Sequence, residues 1–100
     1  MVELTLKPSE FTFFSDPGHG WLKVKKDLLE KLNIHNDVTS YSYMKGDFAY
    51  LEEDCDVTLF YNALITSGMS ELDIKQLFQN MEQKHSNGTS AIRRYESYRP

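Results

Sequence analysis

Thr39-Ser40-Tyr41-Ser42-Tyr43-Met44-Lys45-Gly46-Asp47-Phe48-Ala49-Tyr50-Leu51 holds two β-prone runs, Thr39 to Met44 and Phe48 to Leu51, on either side of a short polar turn. Aromatic and β-branched residues favour pleated backbone, and Gly46 can take the positive φ of a tight reversal at no steric cost. The stretch reads as a β-hairpin. With an even-numbered loop, Tyr43 faces Phe48 and Tyr41 faces Tyr50, and one face of the ribbon is wholly aromatic. A three-residue loop scatters the rings, and the residues alone leave that register open.

Upstream, Glu10-Phe11-Thr12-Phe13-Phe14 is rich in strand formers, and Asp16-Pro17-Gly18 supplies turn residues after it. Trp21 to Val24 alternates, with Trp21 and Lys23 on one face and Leu22 and Val24 on the other, which predicts a second strand. Val24, Leu28 and Leu32 then recur every four residues with Leu29 beside them. This is an amphipathic helix at about residues 26–33, short enough to need a sheet beneath it.

Downstream, Asp54 or Asp56 suits the N-cap of a helix at about residues 55–67, whose stripe is Val57, Phe60 and Leu64 with Leu59 and Ala63, and which stops at Gly68. Ser70 caps another at about residues 71–83, with Asp73 in its first turn and Ile74, Leu77, Phe78 and Met81 at i, i+3, i+4 and i+7. Residues 86–100 begin as a polar loop and end in a short alternating segment, read either as a flexible tail or as an edge strand. The expected class is α+β: a small antiparallel sheet in ββαββ order packed with two or three helices. Leu28, Leu32, Phe60, Leu64, Leu77 and Phe78 are its expected buried residues.

One hundred residues make one domain, since two halves would each be too small to bury an adequate core. Hydrophobic residues at 40% suffice for that core, and 26% charged residues is an ordinary surface load. Cys55 is the only cysteine, so no internal disulfide can form, and the first twenty residues lack a signal-peptide pattern. These features predict a cytoplasmic protein without a membrane span. The net charge of −4 argues against a general nucleic-acid binder. Charge is uneven: Asp47 to Asp56 holds five acids and no base, and Lys84 to Pro100 holds four bases and one acid.

Four constellations can carry function. His19 lies between Gly18 and Gly20, which makes it either a turn residue or an exposed general base for a small hydrolase. The acids Asp47, Glu52, Glu53, Asp54 and Asp56 either cap a helix, favoured by its positive end, or form with Tyr41, Tyr43 and Tyr50 a docking patch for a basic partner protein. Arg93, Arg94, Tyr95, Tyr98 and Arg99 interleave bases with rings; they either pack on the body or hold single-stranded nucleic acid. Cys55 sits among acids that raise its thiol pKa, so it reads as a small buried residue and not as a nucleophile. His19, His35 and His85 lack metal-ligand spacing, and 52–56 lacks the glycine of a calcium loop, so neither metal nor cofactor is expected.

The runs Asp16 to Val24, Ser40 to Tyr43, Tyr50 to Asp56, Lys84 to Ser86 and Ile92 to Tyr95 resemble those of a family of small uncharacterised proteins carried by bacterial phages and plasmids. The resemblance covers most of the chain from Phe13 to Tyr98. It implies no catalytic residues, since the family has no established activity. It does imply an accessory protein of a mobile element that acts by binding another protein. The function expected from the residues and the resemblance together is a non-enzymatic protein-interaction module.

Overall fold

The structure is a computed structural model that describes residues 5–100. Strands β1 (Thr12–Ser15) and β2 (Gly20–Lys25) lead into helix α1 (Lys26–Lys31), followed by the hairpin β3 (Tyr43–Lys45) and β4 (Phe48–Glu52). Helices α2 (Asp56–Thr66) and α3 (Glu71–Asn80) come next, then β5 (Glu82–His85) and β6 (Glu96–Ser97). Short 3₁₀ turns form at Pro8–Glu10 and Ala91–Arg94. All six strands join one sheet in the order β5-β1-β2-β4-β3-β6. The class is α+β, but the sheet is mixed and not wholly antiparallel, because β5 runs parallel to β1.

The strand β5 corrects the expected helix end. The apolar period of α3 runs on through Met81, but Met81 takes ψ 155, and Glu82 to His85 form a strand with every residue exposed. Such a polar tetrapeptide carries no alternation of its own; the open edge of β1 supplies the hydrogen bonds that extend it. The chain after it does not trail away. Ile92 and Tyr98 are buried, and β6 adds to the edge of β3.

The hairpin closes with the two-residue loop Gly46-Asp47, and Gly46 takes φ 59 at its first position. Tyr43 therefore opposes Tyr50 and Lys45 opposes Phe48; the expected pairing of Tyr43 with Phe48 would need a four-residue loop, and the tighter turn shifts it by two residues. Tyr41 opposes nothing in the sheet, and at 70% exposure it is not a partner of Tyr50. The residue next to it explains why. Ser42 is fully buried: its hydroxyl donates to Asp56 and accepts from the Glu52 N–H at 2.9 Å, while its carbonyl accepts from the Tyr98 N–H at 2.8 Å. With Ser42 held by these partners, the strand starts at Tyr43.

Both α1 and α2 end in the paired 6→1 and 5→2 hydrogen bonds of a left-handed C-terminal cap. After α1 the left-handed residue is Asn33, at φ 57, with Ile34 N–H on Leu29 O and Asn33 N–H on Glu30 O. After α2 it is Gly68, at φ 106, with Met69 N–H on Leu64 O and Gly68 N–H on Ile65 O. Ser70 accepts the Asp73 N–H at 3.1 Å and caps α3, as its sequence indicated. The N-cap of α2 is Cys55, not Asp54 or Asp56, and it makes no side-chain cap bond.

One face of the sheet presents Leu22, Val24, Ala49 and Leu51 to Leu28, Leu29, Phe60, Leu64, Ile74 and Leu77 of the helices. Leu32 and Phe78, expected inside, are only partly buried at the edge of this core. The opposite face is aromatic. Trp21, Tyr50 and Ile92 form its buried centre, with Phe14, Tyr43, Phe48 and Tyr95 around them. The sheet is thus covered on one side by helices and crossed on the other by the 3₁₀ turn Ala91–Arg94.

Candidate functional site

Asp16 anchors the loop that carries His19. It opens the connection between β1 and β2, is only 6% exposed, and its carboxylate accepts the N–H groups of Gly18 at 2.9 Å and His19 at 3.0 Å. The same carboxylate accepts the Ser90 N–H at 2.9 Å and both Nε and Nη2 of Arg93, at 2.7 and 2.9 Å. The Arg93 guanidinium, foremost among these, holds the Asp16 carboxyl far below the usual carboxylate range. One side chain thereby ties the first hairpin to the C-terminal segment, and a bidentate fork fixes where Arg93 points.

Beside this anchor lies a cleft of about 260 Å³ lined by His19, Trp21, Tyr43, Glu52, Cys55 and Arg93, with Tyr41 and Asp54 at its edge. Glu52 is opposite Trp21 in the register of β4 and β2, which turns its side chain to the aromatic face. Its Oε2 accepts the N–H groups of Asp54 and Cys55, each at 2.9 Å. Its Oε1 is buried and accepts no hydrogen bond, although the His19 Nδ1 lies 3.4 Å away. Trp21 Nε1 is likewise buried without a partner. The Trp21 ring meets Tyr43 edge-on at 6.2 Å and carries the Arg93 guanidinium 5.3 Å above it. Two buried polar atoms without a protein hydrogen-bond partner thus belong to residues of one aromatic cleft.

Residues from three separate expectations meet here: Glu52, Asp54, Tyr41 and Tyr43 from the acidic patch, His19 from the base, and Arg93 from the basic tail. The acidic patch itself divides. Asp56 is 1% exposed and accepts the Thr39 N–H at 3.1 Å, the Thr39 hydroxyl at 2.7 Å and the Ser42 hydroxyl. It is a structural tie for the loop before β3 and offers nothing to a partner. Asp47 is exposed in the hairpin turn at the far end of β4, roughly 16 Å of strand from Glu52. Tyr50 is buried, beneath Phe14 and Tyr95 at 6.0 and 5.1 Å, and burial raises its phenol pKa. Only Glu53 and Asp54 remain as exposed acids beside the cleft.

The basic tail divides too. Arg93 pairs with Asp16, Arg99 pairs with Glu96 at 3.1 Å, and Tyr98 is buried with its hydroxyl donating to His35 O at 2.7 Å. Arg94 and Tyr95 stay accessible. His19, Glu53 and Asp54 place ligand-type atoms within 4.8 Å of one another, all exposed. Cys55 is exposed at the head of α2, where the Glu52 carboxylate raises its thiol pKa first and burial second.

Trp21 in the cleft and Asp16 beside it are the residues to which sequence reasoning gave no role in a site. The signal for Trp21 was its alternation with Lys23, which put it on the face opposite Leu22 and Val24. The turn signal at Asp16-Pro17-Gly18 accounts for its bonds to Gly18 and His19, but nothing local marks its pairing with Arg93, 77 residues away. Comparison of the chain with family profiles, curated proteins and solved structures finds no match. No helix of the described residues is long and apolar enough to cross a membrane.

Proposed function

We propose that the protein is a non-enzymatic interaction module, an accessory protein of a mobile element, that docks a basic side chain of a partner protein in the Glu52 cleft. The observation that carries this reading is Glu52 Oε1: a buried carboxylate oxygen in an aromatic cleft that accepts no hydrogen bond, with only the exposed His19 Nδ1, at 3.4 Å, for an entering donor to displace. A lysine or arginine entering the cleft lays its aliphatic stem along Trp21 and Tyr43 and brings its donor to that oxygen. Arg93 does not oppose it strongly, since its charge is balanced by Asp16. Glu53 and Asp54 lie outside and favour the approach of a positive segment. A charge-assisted hydrogen bond of this kind contributes about 1.5–3 kcal/mol. Covalent chemistry has less support, because the thiol in the cleft, Cys55, is held protonated by the neighbouring Glu52.

Trp21 is the sole tryptophan and lines the cleft, so its fluorescence reports occupancy directly. Titration with a short oligoarginine peptide is expected to saturate that signal. Glu52→Gln keeps an oxygen to accept from Asp54 and Cys55 but removes the charge, and should weaken binding by about tenfold or more. Equal affinity of the wild type and Glu52→Gln would remove the cleft from the reading.

A further inference from the structure

We infer that the aromatic face of the sheet, at the end away from Glu52, is a second binding surface that takes single-stranded nucleic acid. The strand register sets Lys25, Phe48 and Lys45 in one row across β2, β4 and β3, with Lys23 and Tyr50 in the next. Lys23 Nζ lies 4.1 Å from the centre of the Phe48 ring, and Lys45 Nζ lies 4.8 Å from that of Tyr95. Next to this row is a second cleft, of about 500 Å³, on which Lys26, Lys45 and Arg94 converge beside Tyr95. None of these cations forms an ion pair among the described residues. Glu96, the acid that lines this cleft, is turned to Arg99 at 3.1 Å, and the exposed Asp47 carboxylate at the turn offsets at most one of these five cations.

A chain of net charge −4 that leaves Lys23, Lys25, Lys45 and Arg94 unpaired at one end of this face, with Lys26 at the start of α1 beside them, has a local field of opposite sign to its total. The ligand that answers it is a polyanion. A plain polyanion would use the cations alone, yet they stand around Phe48 and Tyr95, which are only partly buried. Flat apolar groups spaced along a phosphate chain satisfy both, with bases on the rings and phosphates on the ammonium and guanidinium groups. The ammonium groups of Lys23 and Lys45 already lie over these rings, and their flexible stems let them swing outward to phosphate as a base enters. A duplex keeps its bases stacked on each other and cannot reach rings on a sheet face, so the single strand is the form that fits. The surface shares no residue with the Glu52 cleft, and each can fail without the other.

The test is fluorescence anisotropy of a labelled oligothymidine of about 15 nucleotides, and of the matching oligouridine, titrated with the intact protein from about 50 to about 200 mM salt. Saturable binding that weakens with salt is expected. Lys45→Ala and Arg94→Ala should each weaken it and each lower the slope of log K against log salt by about 0.7. Phe48→Leu keeps an apolar side chain but removes the flat face; it should weaken binding about five- to a hundredfold with the salt slope unchanged. Tighter binding of the oligouridine would support the surface and assign it to RNA. Absence of saturable binding at the lowest salt would overturn the proposal. So would equal affinity for a duplex of the same length, or full affinity in a folded Lys45→Ala/Arg94→Ala double variant.

Discussion

Four carboxylates that look alike in the sequence carry different energies once their neighbours are known. Asp56 is buried and satisfied by two residues of the loop before β3, so Asp56→Ala leaves the Thr39 N–H and the Ser42 hydroxyl without acceptors. Chemical denaturation should show a loss of about 2–4 kcal/mol. Asp16 has a folded-state pKa below its unfolded value, so its stabilising effect is complete above about pH 4–5 and is lost as the pH falls through the folded value. Asp16→Asn should therefore lower the melting midpoint near neutral pH and flatten the acid limb of the stability profile below about pH 4. An acid limb as steep as that of the wild type would show that Asp16 does not govern it. Glu53 lies in solvent beside the cleft and Asp47 lies at the far end of β4. Stopped-flow association with oligoarginine should slow for Glu53→Lys and lose part of its salt dependence, while Asp47→Lys leaves the rate nearly unchanged. A comparable effect of both would mean that total charge, not the cleft, attracts the peptide.

Among the elements, the hairpin and the helix ends depend on local chemistry, and the edge strands depend on their neighbours. Gly46 holds φ 59 with nothing within 4 Å of where a Cβ would stand, so Gly46→Ala meets no clash and costs only backbone strain, about 1–2 kcal/mol. Removing the α3 cap with Ser70→Ala should cost about 1 kcal/mol. Urea titration of the two variants and their double measures both values and their additivity. The strands β2 and β4 are central and flanked on both sides, whereas β5 and β6 lie at the edges and expose every residue. Native-state hydrogen exchange should accordingly find the slowest amides in β2 and β4 and rapid exchange in β5 and β6.

At the scale of the whole molecule, the two faces of the sheet are covered by different means and to different extents. Helices cover one, and the segment around Ile92 covers Trp21 and Tyr50 on the other while Arg93 supplies the counter-charge for Asp16. Deleting residues 89–100 would uncover an aromatic surface and leave a buried carboxylate unpaired. The truncated chain should bind a hydrophobic dye and melt well below the intact one. An unchanged midpoint would mean that the C-terminal segment decorates the fold without supporting it. The same arrangement builds the Glu52 cleft, since Asp16 joins the segments that bring Arg93 and His19 to it.

What the sequence determined alone is what short-range physics decides: the α+β class, the helix stripes, the caps at Ser70 and Gly68, and the glycine turn of the hairpin. Each depends on residues within about one or two turns of one another, whose periodicity or φ preference is visible in the chain itself. The tertiary structure decided the rest. It chose a two-residue hairpin loop that pairs Tyr43 with Tyr50, because Ser42 is claimed by Asp56 and Tyr98. It made Glu82 to His85 a strand, because the edge of β1 offered hydrogen bonds that the polar segment could not signal. It split the five acids into a buried tie, a cleft carboxylate and a solvent-exposed remainder. A carboxylate's role follows from which donors surround it, and for Asp16, Glu52 and Asp56 those donors come from other parts of the chain.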